Sequence, residues 1–367
     1  MGFSSVPQVA VRLLPILLAL AATLVIFGLF LASAGVDALQ AYGLIWRGAF
    51  GTWFSWQNTL VNASPLLLTG LCTALPAQIG LLVIGGEGAF VIGGLAAVAT
   101  GLALSSAGLS PVLIQFAMAA AGAAAGGGVI ALSGLLRIRR GVNETISSLL
   151  IAYISIAVME QIVEGPMRDP ASLNRPATQS LAPDVMLGTI PGSTIHIGLF
   201  FGLMACIAGT IWIYRTRQGF AARIIGGNIR AGRLVGLPVE RLILGFCFVG
   251  GCAAGLGGMI EVAAVQGSVS SDLATGVGYA GVLAAFLARQ NPLALIPVAV
   301  LLGGVDAAGG LLQQQLGTPN STTLVLRGIL FVMLLASEAM FGGLPFPKRQ
   351  HNPAKPGSSE GGVKGVA

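Results

Sequence analysis

Four carboxylates stand inside otherwise apolar stretches of the chain: Glu87 in VIGGEGAF, Glu261 in GGMIEVAAV, Asp306 in LLGGVDAAGG and Glu338 in LLASEAMF. A carboxylate inside a bilayer is costly and is a functional candidate by default. Glu87 and Asp306 lie in glycine-rich sequence, where bared backbone groups and a carboxylate together would line a polar passage for a solute. The competing reading makes each a packing residue, hydrogen-bonded across helices or placed near an interface. For Glu338, near the end of its run, that second reading is preferred. Arg327 either pairs with one of these acids or snorkels to the outer surface, and its place near the outer end of its run favours snorkelling. Asn143 and Glu144 follow Arg139, Arg140 and Gly141 at the inner mouth of another run. A glutamate in a first helical turn complements the helix dipole, so capping competes there with a role in transport. Tyr153, Phe90, Tyr279 and Phe286 are aromatic candidates for a passage wall and equally plain core.

A second constellation is basic. Tyr214 to Arg241 reads YRTRQGFAARIIGGNIRAGRLVGLPVER, with Arg215, Arg217, Arg223, Arg230, Arg233 and Arg241 against one acid, Glu240. Long apolar runs flank it, and arginine beside a span resists translocation, so the loop is cytoplasmic. A short Ala/Gly-rich helix within it offers a docking surface for a cytoplasmic partner; the plainer alternative is a solvated loop that only sets topology.

Chemistry that converts energy is absent from these residues. A phosphate-binding G-x-x-x-x-G-K-[ST] loop needs its lysine, and the first lysine of the chain is Lys348. Two histidines, His196 and His351, and four cysteines scattered through apolar runs give no metal-ligand set and no disulfide framework. No cofactor is expected, and no nucleophile–base–acid arrangement supports a membrane enzyme. Uphill movement of a solute would need an outside partner or an ion gradient.

The elements that must position these residues are transmembrane helices. Of 367 residues, 55% are hydrophobic and 9% charged, with mean hydropathy +0.87. A soluble domain carries roughly 25% charged residues, so this chain cannot cover a water-facing surface and is an all-α, polytopic membrane protein. The formal charge of +6 suggests nucleic acid only until its placement is read: fifteen of 19 Lys and Arg fall on one side of the expected topology, the positive-inside pattern. Fifty-four glycines fit closely packed or broken membrane helices, where small residues let backbones approach.

Ten spans are expected, with both termini cytoplasmic. They run 13–32, 60–79, 80–104, 111–136, 142–162, 195–213, 242–265, 273–288, 293–312 and 322–340. The first is longer than the roughly 7–15 residues of a signal-peptide core, so it is retained despite the cleavage-like Ala32-Ser33-Ala34. Residues 37–58, with Trp46, Trp53 and Trp56, read as an outer interfacial segment. Five prolines make 164–194 an external loop, and 345–367 is a basic tail too polar to fold. The third span, loaded with glycine and carrying Glu87, is the candidate for a broken or partly unwound helix, and 1–344 forms one membrane domain.

The chain resembles the permease subunits of bacterial ABC importers, in the branch serving simple sugars and nucleosides. The likeness runs from about Leu60 to Met340. It is carried by GLCTALPAQIGLLVIGGEGAFVIGG at 70–94, RGVNETISSLLIAYI at 140–154, EGPMRDP at 164–170, RIIGGNIRAGRLVGL at 223–237, VGGCAAGLGGMIEV at 249–262 and GYAGVLAAFLARQNPL at 278–293. Each piece is weak alone; six in order are specific. The resemblance implies a homo- or heterodimer of permeases in the bacterial cytoplasmic membrane, two cytoplasmic ATPase subunits and an external substrate-binding lipoprotein. It implies that Arg223, Gly226, Asn228, Ala231, Gly232 and Gly236 belong to the segment that couples to the ATPase. Glu87, Phe90, Asn143, Glu144, Tyr153 and Asp306 are the expected translocation-pathway residues. Val83, Ala89 and Ala152 stand where the family often has Asn, Gln and Asn, which suggests a less polar passage. The competing function is an ion-coupled secondary transporter, for which Glu87 or Asp306 would carry the coupling.

Overall fold

A computed structural model describes residues 8–172, 175–319 and 321–341. The basic tail expected at 345–367 and the side chain of Glu338 therefore lie outside the described residues. The chain forms α1 (Gln8–Ser33), α2 (Ala38–Phe50), α3 (Trp53–Ala77), α4 (Gly86–Ser105), α5 (Pro111–Arg140), α6 (Glu144–Glu164) and α7 (Gly198–Arg215). It continues with α8 (Arg217–Gly227), α9 (Ile229–Leu234), α10 (Val239–Glu261), α11 (Val277–Leu287), α12 (Pro292–Leu316) and α13 (Thr322–Phe341). Among the described residues, extended pairing is limited to two isolated bridges, Ala177 with Ser270 and Thr189 with His196.

Each of the ten expected segments coincides with a helix. Seven of these helices are long and apolar enough to cross a membrane, and α1 with α2 make an eighth if that pair, bent by 117°, is counted as one. The eighth expected segment yields only α11, whose 11 residues rise roughly 16 Å, about half of a bilayer core. The segment expected at the outer interface, 37–58, is helical, made of α2 and the first turns of α3. Asp37 caps α2 by accepting from Leu39 and Gln40 N–H. Thr52 caps α3, so Trp53 and Trp56 belong to the first turns of a crossing helix.

Helix α3 is the hub. It is buried over most of its length and packs on α7, α10, α11 and α12. On its other flank α10 packs against α4 and α5. Between α5 and α10 the close approach rests on paired small residues: a Cβ added to Gly126 would lie 2.6 Å from the Gly251 carbonyl oxygen and 2.7 Å from Gly255 Cα. In lipid, where apolar side chains gain little by meeting each other, such backbone contact is a main source of association. A second, smaller core of Phe27, Leu31, Ala41, Leu44, Leu312 and Leu326 joins α1, α2, the outer part of α12 and α13.

The two ends of the bundle differ. One end collects residues 77–82, Arg137, Arg139, Arg140, α8, α9 and the 288–291 turn, where the Gln78 amide donates to the Gln290 carbonyl at 2.9 Å. The other end is roofed by residues 165–197. Backbone N–H groups of Thr178, Leu181 and Leu187 donate to the carbonyls of Val269, Gly267 and Ala263 at 2.8–2.9 Å. These bonds stitch this loop to the π-turn Val262–Gln266 that ends α10 and to the chain leading to α11.

Candidate functional site

The first site is the basic end. Thr216 caps α8 through Gly219 N–H, and Asn228 ends α8 and caps α9, its carboxamide oxygen accepting from Arg230 and Ala231 N–H at 2.9 and 3.2 Å. Both caps hold backbone donors that a helix start leaves open. The expected short helix is thus two, broken at Asn228. The seat of α8 is backbone on backbone. Gly226 lies against Gln78 and Gly80, and Gly80 holds φ +78°, a conformation that side chains avoid. Gly232 faces the buried Ile225 side chain, and Gly236, at φ +77°, turns the chain out of α9. Arg223 stacks over the Tyr214 ring at 5.2 Å, and Trp212 stacks on Phe246 at 4.2 Å beneath the corner.

Of the six coupling candidates, then, Gly226, Asn228, Ala231, Gly232 and Gly236 shape the element, while Arg223 is held against a ring. The outward surface belongs to residues the sequence reading passed over. Leu234 is 90% and Val235 73% exposed, framed by exposed Arg230, Arg233 and Arg241. The signal was available in GRLVG, where an apolar pair interrupts an otherwise basic loop.

The second site lies midway through the bundle. Between α3 and α4 the chain leaves helix from Leu81 to Ile84 and turns at Gly85, with Leu81, Val83 and Gly85 buried and Leu82 and Ile84 half-buried, so its backbone groups need partners away from water. Thr73 donates to the Val83 carbonyl at 3.1 Å, Thr145 donates to the Leu82 carbonyl at 2.8 Å, and Ile84 N–H donates to Ser148 Oγ at 3.1 Å. Helix α4 therefore starts inside the helix bundle, and the glycine-rich third span is broken ahead of it. Glu87, in its first turn, is fully buried, and its carboxylate accepts from Gly276 N–H at 2.8 Å and Gly278 N–H at 2.5 Å. Those donors open α11, so one carboxylate ties together the starts of two helices. A Cβ on Gly278 would overlap the Glu87 backbone.

Of the remaining pathway candidates, Phe90 and Tyr153 lie close to the depth of Glu87, and Asn143, Glu144 and Asp306 do not converge on it. Phe90 is buried against Gly257. Asn143 caps α6 through Thr145 and Ile146 N–H, and Glu144 pairs with Arg137 at 3.2 Å. Tyr153 lies halfway along α6 and is 58% exposed. Asp306 sits in the smaller bundle and forms an ion pair with Arg327 of α13, both side chains largely buried. That pair corrects the expectation that Arg327 snorkels: its guanidinium turns inward to an acid across the α12–α13 contact, which answers a charge that is costly to leave unpaired among apolar helices. Glu261, where α10 meets the π-turn, accepts from the Gln266 amide at 3.4 Å. Val83, Ala89 and Ala152 are fully buried, Ala152 against Gly88, so their apolar identity answers to helix packing rather than to a passage wall.

A family model described as branched-chain amino acid transport system / permease component matches residues 55–335. The chain belongs to this family, and it is a multi-pass transport subunit of the ABC-importer permease type. It is 29% identical to a glucose ABC transporter permease protein of Haloferax volcanii, over 88% of this chain and 87% of that one. It is 28% identical to a guanosine ABC transporter permease protein of Bacillus subtilis, over 90% and 94%. A nucleoside ABC transporter permease protein of Lactococcus lactis is 23% identical, over 84% and 88%. Family membership does not favour the ion-coupled alternative.

Proposed function

We propose that this permease forms the translocation pathway for a nucleoside or simple sugar, and that a separate cytoplasmic ATPase chain drives it by gripping residues 215–241. The substrate class follows the printed names of its relatives. The observation that carries the docking reading is the Leu234–Val235 tip, two nearly bare apolar side chains on an element otherwise fixed by caps and glycine joints. Burying each would contribute roughly 1.5–3 kcal/mol, and the arginines around them suit an acidic rim. On this reading the basic end faces the cytoplasm of a bacterial cell, both termini lie there, and 165–197 faces an external substrate-binding lipoprotein. A second permease, identical or related, completes the conduit.

The test is copurification. Replacing Leu234 and Val235 together by Asp, at exposed positions that leave the fold alone, is expected to cut recovery of the ATPase chain at least tenfold while the permease keeps its melting temperature. Undiminished recovery, with uptake intact, would sink the docking assignment.

A further inference from the structure

Tyr153 and Tyr279 are half of the four tyrosines in the chain, and they stand together where tyrosine is least expected. Tyrosine collects at the headgroup level of a membrane, with its ring in the apolar zone and its hydroxyl in water. Tyr153 is nine residues from the start of α6 and eleven from its end, which puts it roughly 14 Å and 16 Å from the two mouths. The next residue inward, Ala152, meets Gly88 beside Glu87, so the depth is that of the carboxylate tie. Tyr279 follows Gly278, the residue whose N–H that carboxylate accepts. Its hydroxyl is buried and finds no partner at hydrogen-bonding geometry, and it lies beside Tyr153.

Two alternatives fail on these facts. If the exposed flank of Tyr153 faced hydrocarbon, two phenols would stand at mid-depth with at most each other as partners, so that one of the two hydroxyl donors would stay without an acceptor, at about 1–3 kcal/mol. If the pair were core, Tyr153 would not be 58% exposed. Around Tyr153 the exposed flank of α6 is otherwise apolar, with Ile146, Leu150, Ile154 and Val158, until Glu160, Gln161 and Glu164 in the last turn, so Tyr153 is the one polar side chain exposed at mid-depth of this helix.

Resting on the permease reading above, we infer that Tyr153 and Tyr279 form the solute contact at the centre of the passage. The ring of Tyr153 presents a face to a flat or cyclic solute, and the Tyr279 hydroxyl answers one of its hydroxyl or amide groups. Such a contact suits nucleosides and sugars, which pair a ring with several hydroxyls, and it is loose enough to release what it holds. The tie between Glu87 and the start of α11 fixes Tyr279 in place, and the contact of Ala152 with Gly88 seats Tyr153 beside it.

The test uses the complete transporter in its native membrane and has two arms. First, Tyr153→Cys is treated with a charged, membrane-impermeant methanethiosulfonate reagent, beside Ile207→Cys, which is midway along α7 and 41% exposed. Tyr153→Cys is expected to react at least tenfold faster than Ile207→Cys and than the parent, three of whose four native cysteines are buried. Equal, slow reaction of all three would overturn the inference. Second, guanosine and glucose are used as uptake probes. Tyr153→Ala is expected to raise KM about tenfold for the transported probe, as loss of a stacking face does elsewhere, and Tyr153→Trp to stay within about threefold of the parent. Tyr279→Phe is expected to raise KM several-fold with the ATPase still copurifying. Unchanged KM in Tyr153→Ala and Tyr279→Phe would overturn the contact, and so would a loss of uptake that tracks loss of the ATPase. Failure of the parent to take up either probe would sink the substrate class proposed above, and the labelling arm would still decide whether the pair lines water.

Discussion

Glu87 and Asp306 have nearly the same sequence surroundings, a carboxylate set among glycines in an apolar run, yet the structure neutralises them in opposite ways. Glu87 sits at the main core and is met by backbone, the N–H groups of Gly276 and Gly278 at the positive end of α11. Asp306 sits in the smaller bundle of α1, α2, α12 and α13 and is met by a side chain, the Arg327 guanidinium. A charge answered by backbone is fixed by the path of the chain. A charge answered by a side chain depends on one further residue and can be removed with it. The first arrangement builds architecture; the second holds two helices in register.

The comparison breaks most sharply on rescue. Glu87→Leu leaves two buried N–H groups bare, at about 1–3 kcal/mol each, and should sharply lower the melting temperature of the purified permease with no second-site side-chain substitution able to restore it. Recovery of stability by any single partner substitution would show that backbone is not the true counterpart. Asp306→Ala strands Arg327 and should cost about 3–5 kcal/mol, whereas the double change Asp306→Leu with Arg327→Leu should return most of it. Additive losses in a double-mutant cycle would mean that the two groups do not interact. A third buried group sharpens the contrast by having neither kind of partner. His196, just outside α7, is 2% exposed with both ring nitrogens lacking a hydrogen-bond partner, and burial pushes its pKa below the usual histidine value. Its folded form is the neutral one, so the unfolded chain takes up the proton first. Stability should therefore be constant above about pH 6.5 and fall as pH drops through that value. His196→Gln should flatten that slope by a small but measurable amount in melting curves taken from pH 8 to 5.

Much of this was legible beforehand because periodic apolar runs and arginine clusters are local signals. All ten expected segments became helices, Arg137, Arg139 and Arg140 ended α5, and the Ala/Gly stretch after Arg215 became helix. What escaped depends on who meets whom across the bundle. Nothing in VIGGEGAF says that Gly276 and Gly278 will come to it from almost two hundred residues away. Arg327 looked able to reach the surface because the reading along one helix does not show Asp306 on the next. Val83, Ala89 and Ala152 looked like lost amides in a passage; being buried, they report on packing. The bend between α1 and α2 rests on the Asp37 cap, a signal that was present and was outweighed by the tryptophans.

The stub on which α8 rests has a mechanical consequence. Gly226 bears on Gly80, and only six residues, 81–86, separate Gly80 from Glu87. Five of them, 81–85, lie outside any helix, and bonds from Thr73 to Val83, Thr145 to Leu82 and Ile84 to Ser148 leave them little slack to absorb a push. A thrust applied to the arginine-bearing corner thus arrives at the middle of the membrane through a pushrod one peptide wide, with the start of α11 hooked to its tip.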